Sequence, residues 1–158
     1  MEEMPLVYLK RGKVIEGEKR LNAVDKLKEI RKKHEKAYVL DLDGINKNRP
    51  NLDIYRKVSR KPFLWIDALP RRLDDVMDLV VVGAERITIG DVIGDDELKR
   101  IREICDVELF LRGDDGVKAA EKAVKFGLDG IVMVSPKGRV DAPAWGVYPT
   151  DGVVKKMW

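Results

Sequence analysis

Two aspartates stand together at the end of an apolar run, in the segment YVLDLDG that covers residues 38–44. The alternation predicts a strand with Asp41 and Asp43 on one face and with Leu40 and Leu42 on the other. A carboxylate at a strand end can act as a general acid or base. Two charges on one face of a buried strand are costly without partners. The sequence therefore predicts either a reactive site or a network of opposite charges at this point.

Further polar residues close other predicted strands and are expected to join this pair. Carboxyl ends of parallel strands meet at one rim, which predicts that Asp67 lies near Asp41 and Asp43. In this hypothesis the three carboxylates are the catalytic candidates, and Asp43 is the preferred general base. The substrate-binding candidates share the rim and are Lys10, Arg112, Thr88 and Gly90. Lys10 or Arg112 would hold the anionic group of a phosphorylated small metabolite.

The same residues also fit a structural interpretation, in which they form an ion-pair network inside the fold. Its cations would be Lys10, Arg86 and Arg112, and its anions would be Asp41, Asp43, Asp67 and Glu108. Three clustered carboxylates could take Mg²⁺, but no cofactor and no metal site is predicted. The single histidine, His34, and the single cysteine, Cys105, are far apart, which argues against zinc.

The elements that position these residues alternate along the chain between short aliphatic strands and amphipathic helices. Strands are predicted at 6–10, 38–43, 63–67, 86–90, 107–112 and 130–135, and helices at 21–34, 52–59, 72–81, 96–104 and 116–126. This order predicts a mainly parallel sheet with helical crossovers. One predicted face of the strands is aliphatic, and the other mixes aromatic with charged residues. That asymmetry favours a barrel with helices outside and side-chain layers inside.

The predicted fold class is therefore α/β, as a truncated TIM-barrel-like (β/α) unit with about six parallel strands. Residues 1–135 form the barrel-like domain, and residues 136–158 are expected to be an irregular tail. Six strands do not easily close a standard eight-stranded barrel, so the exposed edges need a cover. The tail or a second copy of the chain would supply it, and a homodimer is expected.

Composition limits the remaining function classes. The chain has 158 residues, 37% of them charged, and a formal net charge of +3. This small and mixed excess makes nucleic-acid binding unlikely. No apolar run is long enough to span a bilayer, and a single cysteine fits a reducing compartment, so a cytoplasmic protein without membrane contact is expected. The absence of Gln and the many Lys, Glu and Arg residues are typical of thermophilic proteins.

Several spaced motifs resemble the ProFAR isomerase family of histidine biosynthesis, whose members are phosphate-binding (β/α) barrels. The motifs occur in the family's order and are LKRGKVI at 9–15, DLDG at 41–44 with PN at 50–51, RRLDDV at 71–76, GAERITIG at 83–90 and LRGDDG at 111–116. The resemblance implies a sugar-phosphate isomerase barrel with its site at the carboxyl ends of the strands.

Departures from the family pattern argue against that isomerase activity. The family's acid and base close its first and fifth strands, and this chain has Tyr8 and Arg112 at those positions. Neither side chain can replace an aspartate at working pH. Where the family has a glycine-rich phosphate loop, this chain has Asp67, Ala68 and Leu69. Two hypotheses follow: a divergent member with a pocket for a phosphorylated metabolite, or a non-catalytic paralogue acting in assembly or regulation of a partner barrel.

Overall fold

The computed structural model describes residues 2–58 and 63–158. Within these ranges the chain forms ten strands and six helices. The strands are β1 (Glu3–Lys10), β2 (Lys13–Glu16), β3 (Lys19–Asn22), β4 (Ala37–Asp41), β5 (Leu64–Asp67), β6 (Ala84–Gly90), β7 (Glu108–Arg112), β8 (Gly130–Met133), β9 (Ala144–Tyr148) and β10 (Val153–Lys156). The helices are α1 (Ala23–Lys33), α2 (Leu42–Lys47), α3 (Leu52–Val58), α4 (Leu73–Val81), α5 (Asp95–Ile104) and α6 (Gly116–Lys125). The last residue of the helix predicted at 52–59 lies outside the described residues.

Eight of the strands close into a barrel in the order β1-β4-β5-β6-β7-β8-β9-β10, with β10 returning to β1. The pairings from β1 through β9 are parallel, and β10 is antiparallel to both of its neighbours. The prediction of about six strands was therefore wrong. The two further strands lie in the segment 136–158 that was expected to be irregular. They are short, and the prolines and glycines around them hid their periodicity.

A hairpin of β2 and β3 extends the sheet outside the barrel beyond β1. Its first turn places Arg11 and Gly12 in the left-handed region, with φ of 52° and 73°. For a residue with a Cβ this conformation is unfavourable unless other contacts hold it. Asp43 supplies those contacts, as the site geometry below describes.

The crossover from β8 to β9 carries no helix, unlike the crossovers between the earlier parallel strands. Residues 134–143 and the chain end cover the outside of the barrel there. The Trp158 indole donates to the Val140 carbonyl oxygen at 2.9 Å. A side chain at Gly146 would collide with Pro136 and Tyr148, which lie directly over that strand. The tail thus replaces part of the missing helical layer.

The two faces of the barrel wall differ as predicted, but the assignment was reversed on two strands. On β4, Tyr38 belongs to the interior cluster, whereas Val39 packs in the outer core beneath the helices. On β8, Val132 was expected on the aliphatic outer face and Met133 on the interior face, but Val132 belongs to the interior cluster and Met133 to the outer core. A shift of one residue moves every side chain of a strand to the other face. Consequently Asp41 faces the helical layer instead of the barrel interior.

The barrel interior is filled by aromatic rings around one arginine. Trp65 lies 4.9 Å from Tyr38, 4.5 Å from Phe110 and 5.1 Å from Trp145, measured between ring centroids. The Arg86 guanidinium carbon lies 5.2 Å from the ring centroids of both Trp65 and Trp145. These side chains leave the barrel as a packed core with no pore through it. In the part of the chain that the structure describes, no helix is both long enough and apolar enough to cross a membrane.

Candidate functional site

Asp41 ends β4 and is completely buried, but its carboxylate is saturated by hydrogen bonds. One oxygen accepts from the Gly44 amide at 3.0 Å and from Asn51 Nδ2 at 2.9 Å. The other accepts from the Asn51 amide at 2.8 Å and from the Tyr55 hydroxyl at 2.5 Å. Asp41 is also the N-cap of α2. A carboxylate with four donors around it holds the following loop in place and is closed to substrate.

Asp43 lies in the first turn of α2, and not on a strand as predicted. Its oxygens accept from the Arg11 amide at 2.8 Å, the Gly12 amide at 3.2 Å and Asn51 Nδ2 at 2.9 Å. Partial burial by itself would raise the pKa of Asp43. The hydrogen bonds from Asn51, Arg11 and Gly12 outweigh that effect and lower the pKa from its ordinary value. A more acidic carboxyl is a weaker base, and the general-base role of Asp43 stays a prediction.

Asp67 ends β5 and forms a buried ion pair with Arg112 at the end of β7. Arg112 Nε and Nη2 donate to the two carboxylate oxygens at 2.7 and 2.9 Å. The Tyr38 hydroxyl donates to the same carboxylate at 2.7 Å and lies 3.0 Å from the Thr88 hydroxyl. Burial and the Asp67 charge raise the pKa of Tyr38 well above its ordinary value. Tyr38 therefore stays protonated, and this cluster is a closed polar network inside the barrel mouth.

The predicted site residues thus divide into two separate groups that do not converge on one pocket. Asn51 joins Asp41 to Asp43, whereas Asp67 bonds with Arg112 inside the barrel. Among the described residues, Lys10 is exposed and takes part in none of the ion pairs.

The other two predicted binding residues are in contact with side chains of the chain itself. The Thr88 hydroxyl is buried and accepts from the Trp65 indole at 2.9 Å, so it belongs to the interior network. Gly90 ends β6, where an added Cβ would lie 3.1 Å from the Leu69 side chain. Leu69 thus covers the position where a ligand would approach the Gly90 backbone.

The ion-pair interpretation is correct for two of its pairs and wrong for the rest. Arg112 pairs with Asp67 at 2.7 Å, and Arg86 pairs with Glu108 at 3.1 Å. Asp41 and Asp43, however, accept from amides and from a hydroxyl, and no cation forms an ion pair with them in the described ranges. Neutral donors hold these two carboxylates because they must fix loops, and backbone amides are the donors that loops offer.

Sequence reasoning missed Arg71, which ties the loop after β5 to α2. Its guanidinium donates to the carbonyl oxygens of Gly44 and Ile45, each at 2.7 Å, and to Asn48 Oδ1 at 3.0 Å. It also closes its own loop on the Leu69 carbonyl oxygen at 2.9 Å. Arg71 and Asn51 both stand in the motifs quoted above, so their positions were noticed. Their roles depend on hydrogen bonds across long sequence separations, which a single sequence does not reveal.

A small cavity of about 230 Å³ remains at the mouth beside Arg112. It is lined by Arg112, Gly113, Asp114, Gly116, Met133, Val134 and Ser135. The adjacent N-terminus of α6 is already capped, because the Asp115 carboxylate accepts from the Val117 and Lys118 amides. Within residues 2–58 and 63–158, no three His, Cys, Asp or Glu side chains come together to hold a metal ion.

Comparisons with known proteins support the fold alone. No family model and no curated protein matches the sequence. Among solved structures, a mutant mandelate oxidase with a C4a-OH-FMN adduct is 17% identical, with a TM-score of 0.58 over 86% of this chain and 49% of that chain. Mandelate oxidase with benzoyl-formic acid is 18% identical, with a TM-score of 0.54 over 76% of this chain and 44% of that chain. The N-succinyl Arg/Lys racemase from Bacillus cereus ATCC 14579 is 12% identical, with a TM-score of 0.55 over 84% and 38% of the two chains.

These likenesses establish a TIM-barrel-like (β/α) fold for this chain. The chain spans about half or less of the length of the structures it matches. At these identities the shared barrel carries no information about the reaction or the ligand.

Proposed function

We propose that this chain is a non-catalytic (β/α) barrel that acts in assembly with other protein chains. The observation that carries the proposal is that Asp41, Asp43 and Asp67 each accept at least three hydrogen bonds from donors of the chain itself. A general acid or base must reach a substrate proton with a free oxygen. The buried Asp41 and Asp67 would have to break such hydrogen bonds first, at a cost of about 1–3 kcal/mol for each group left unsatisfied. Asp43 would have to give up hydrogen bonds that are partly exposed.

Descent from a ProFAR isomerase-like enzyme remains part of the proposal and rests on the sequence motifs. Arg112 stands where that family has a catalytic acid, and here it neutralises Asp67. The replacement puts a cation at the position of the catalytic acid, and that cation forms an ion pair with the carboxylate that ends β5. We also propose that the chain works without a cofactor. The FMN adduct belongs to the mandelate oxidase structure, and the loop after β5 here has Leu69 at a φ of 45° beside Gly90 in place of an open anion cradle.

A thermal-shift screen tests the absence of a metabolite site. The purified protein would be heated with inorganic phosphate, ribose 5-phosphate, FMN and Mg²⁺, each at millimolar concentration. We expect melting temperatures unchanged within the scatter of replicates, because a ligand that binds only the folded state must raise the melting temperature. A saturable rise with any one of these compounds would contradict the proposal.

The cavity beside Arg112 supports a second candidate function, which is binding of a small anionic metabolite. Arg112 uses Nε and Nη2 on Asp67, which leaves Nη1 on the side of the guanidinium away from that ion pair. Ser135 lines the same cavity and is exposed. The variant that tests this candidate is Ser135→Phe, whose larger side chain fills the cavity and leaves the Arg112–Asp67 ion pair intact. A phosphate-induced stabilisation that disappears in this variant would favour metabolite binding, and one that persists would move the site elsewhere.

A further inference from the structure

Exposed cations cluster on one half of the barrel mouth, which we call the basic arc. They lie at the end of β1, in the β1–β2 turn and at the start of β2, at and just after the end of α2, and in the loop before α4. The basic arc consists of Lys10, Arg11, Lys13, Lys47, Arg49 and Arg72, all exposed. In the described part of the chain none of them forms an ion pair with a carboxylate. The arc is therefore a surface of predominantly positive charge, offset in part by the exposed Asp74 in the first turn of α4 and by Asp43, whose carboxylate interacts with the Lys47 charge.

The backbone beneath the basic arc is held in one arrangement by the hydrogen bonds already described. Asp43 binds the amides of the β1–β2 turn, which fixes Arg11 relative to α2. Arg71 binds carbonyl oxygens at Gly44 and Ile45, which fixes the loop before α4 against the same helix. Three segments that are distant in sequence are thereby joined into one surface. Binding to a partner would cost little ordering of the backbone here.

The other half of the mouth has the opposite charge, and we call it the acidic arc. It lies at the ends of β6 and β7 and consists of Asp91, Asp96 and Asp114, none of which is in an ion pair within the described ranges. The loop after β6 is fixed by Lys122, whose ammonium donates to the Asp91 and Ile93 carbonyl oxygens. At the tip of that loop Val92 is 95% exposed.

A mouth divided in this way is complementary to itself. If two copies meet mouth to mouth about a two-fold axis perpendicular to the line joining the arcs, each basic arc faces the partner's acidic arc. The same contact then occurs twice, as a two-fold interface requires. The exposed Val92 would supply an apolar contact within the acidic half. We propose that the barrel mouth is the interface of a homodimer, with the basic arc of one protomer against the acidic arc of its partner.

The charge pattern favours a second copy over a nucleic acid. A polyanion lying across the mouth would meet Asp91, Asp96 and Asp114 as well as the cations, and like charges at a contact suppress binding. The formal net charge of the chain is only +3, which gives weak long-range attraction for nucleic acid. A second copy satisfies both arcs at once. The inference rests on the proposed function in one respect, since a mouth that performs no chemistry can be covered permanently.

Charge reversal on the two arcs tests the interface. The basic-arc variant carries Lys10→Glu, Lys47→Glu, Arg49→Glu and Arg72→Glu, and the acidic-arc variant carries Asp96→Lys and Asp114→Lys. All six side chains are exposed. Sedimentation velocity at micromolar protein would measure the dimer fraction of each variant alone and of their mixture. A thermal melt of each variant verifies folding.

We expect the unaltered chain to be a dimer whose dissociation constant rises at least about tenfold as salt is raised from about 0.05 to about 0.5 M, because salt screens exposed charges. Each variant alone should be monomeric, since its two halves then carry charge of one sign. The mixture should recover the dimer, because a heterodimer of the two variants pairs opposite charges at both contacts. That recovery distinguishes an interface effect from misfolding.

Three outcomes would overturn the inference. A wild-type chain that is monomeric at micromolar concentration removes the dimer. A dimer that persists in both charge-reversal variants places the interface elsewhere. The apolar groove beside α6 exposes Val117 and Val124, and loss of the persisting dimer in Val117→Lys/Val124→Lys would assign the interface to that groove. Retention of nucleic acid that is lost in the basic-arc variant would assign the arc to a polyanion. Failure of the proposed function is separate, since it would appear as metabolite-induced stabilisation or turnover whatever the oligomeric state.

Discussion

Replacing Arg112 by Met is the sharpest test of the structural role of the ion pair at the mouth. The Asp67 carboxylate is fully buried, and three of the hydrogen bonds it accepts come from Arg112 and Tyr38. Methionine has similar volume and no charge, so it fills the site and leaves Asp67 with the Tyr38 hydroxyl alone. Breaking a buried pair in this way strands a charge, and the cost in unfolding free energy is about 3–5 kcal/mol.

The exposed pair Arg56–Asp53 provides a matched control, because its N–O distance is the same 2.7 Å. Arg56 and Asp53 are 61% and 87% exposed, whereas Asp67 is 0% exposed. Arg56→Met should therefore change the unfolding free energy by less than about 1 kcal/mol, as exposed pairs do. Both pairs join an arginine to an aspartate at the same distance, so a difference between the two losses of unfolding free energy reports the effect of burial.

Urea or guanidinium titrations of both variants would measure the two differences. For a chain of this length, about 3–5 kcal/mol corresponds to a fall in melting temperature of roughly 6–20 °C. The double variant Asp67→Leu/Arg112→Met should recover most of the loss, because two apolar side chains leave no uncompensated charge. If Arg112→Met costs no more than Arg56→Met, the ion pair is not structural. Arg112 would then be free to bind a ligand, and the non-catalytic assignment would lose its main support.

Three further predictions concern the polar groups of the barrel. Asp43→Asn should destabilise the protein near neutral pH. The wild type should lose this advantage only in acid, as the pH falls through the lowered pKa of Asp43, and a difference in unfolding free energy independent of pH would contradict the hydrogen-bond assignment. Tyr38 and Tyr55 have pKa values raised well above 10.0 by burial, so stability should fall as the pH rises beyond 10.0. Their phenolate absorbance should appear only with unfolding, and a reversible titration before unfolding would refute the burial. Arg86→Met should cost about 1–2 kcal/mol in a urea titration through the lost contacts with Trp65 and its neighbours, and Arg86→Lys should cost less. Equal losses of unfolding free energy in Arg86→Met and Arg86→Lys would mean that contact between the rings and a positive charge does not stabilise the protein.

The barrel could be predicted from the sequence because its evidence is local. The six parallel strands β1, β4, β5, β6, β7 and β8 were found as short apolar runs, and the five longer helices between them by their apolar stripes, whereas the hairpin β2–β3 and the short helix α2 were missed. The closing strands were missed, because β10 has four residues and β9 is interrupted by Gly146. The face of β4 was reversed for a different reason. Tyr38 is an interior residue because Asp67 and Thr88 satisfy its hydroxyl, and those partners come from other strands.

The candidate site was predicted as a set of residues, but its chemistry was not. Carboxylates at strand ends are expected at an active rim, and Asp41, Asp43 and Asp67 do lie at that end of the barrel. What decides their role is the donor that reaches each oxygen. For Asp43 those donors include the amides of Arg11 and Gly12, about thirty residues earlier in the chain, in the turn of a hairpin that was not predicted.

The anchoring role of these aspartates also explains the charge of the mouth. A carboxylate that accepts from neutral amides holds its loop in place, but it pairs with no cation. Asp41 and Asp43 are directed into the fold in this way, and so the cations on the same segments have no carboxylate partners within the described chain. The groups that resemble a catalytic rim therefore leave a charged surface that an opposite charge from another protomer can cover.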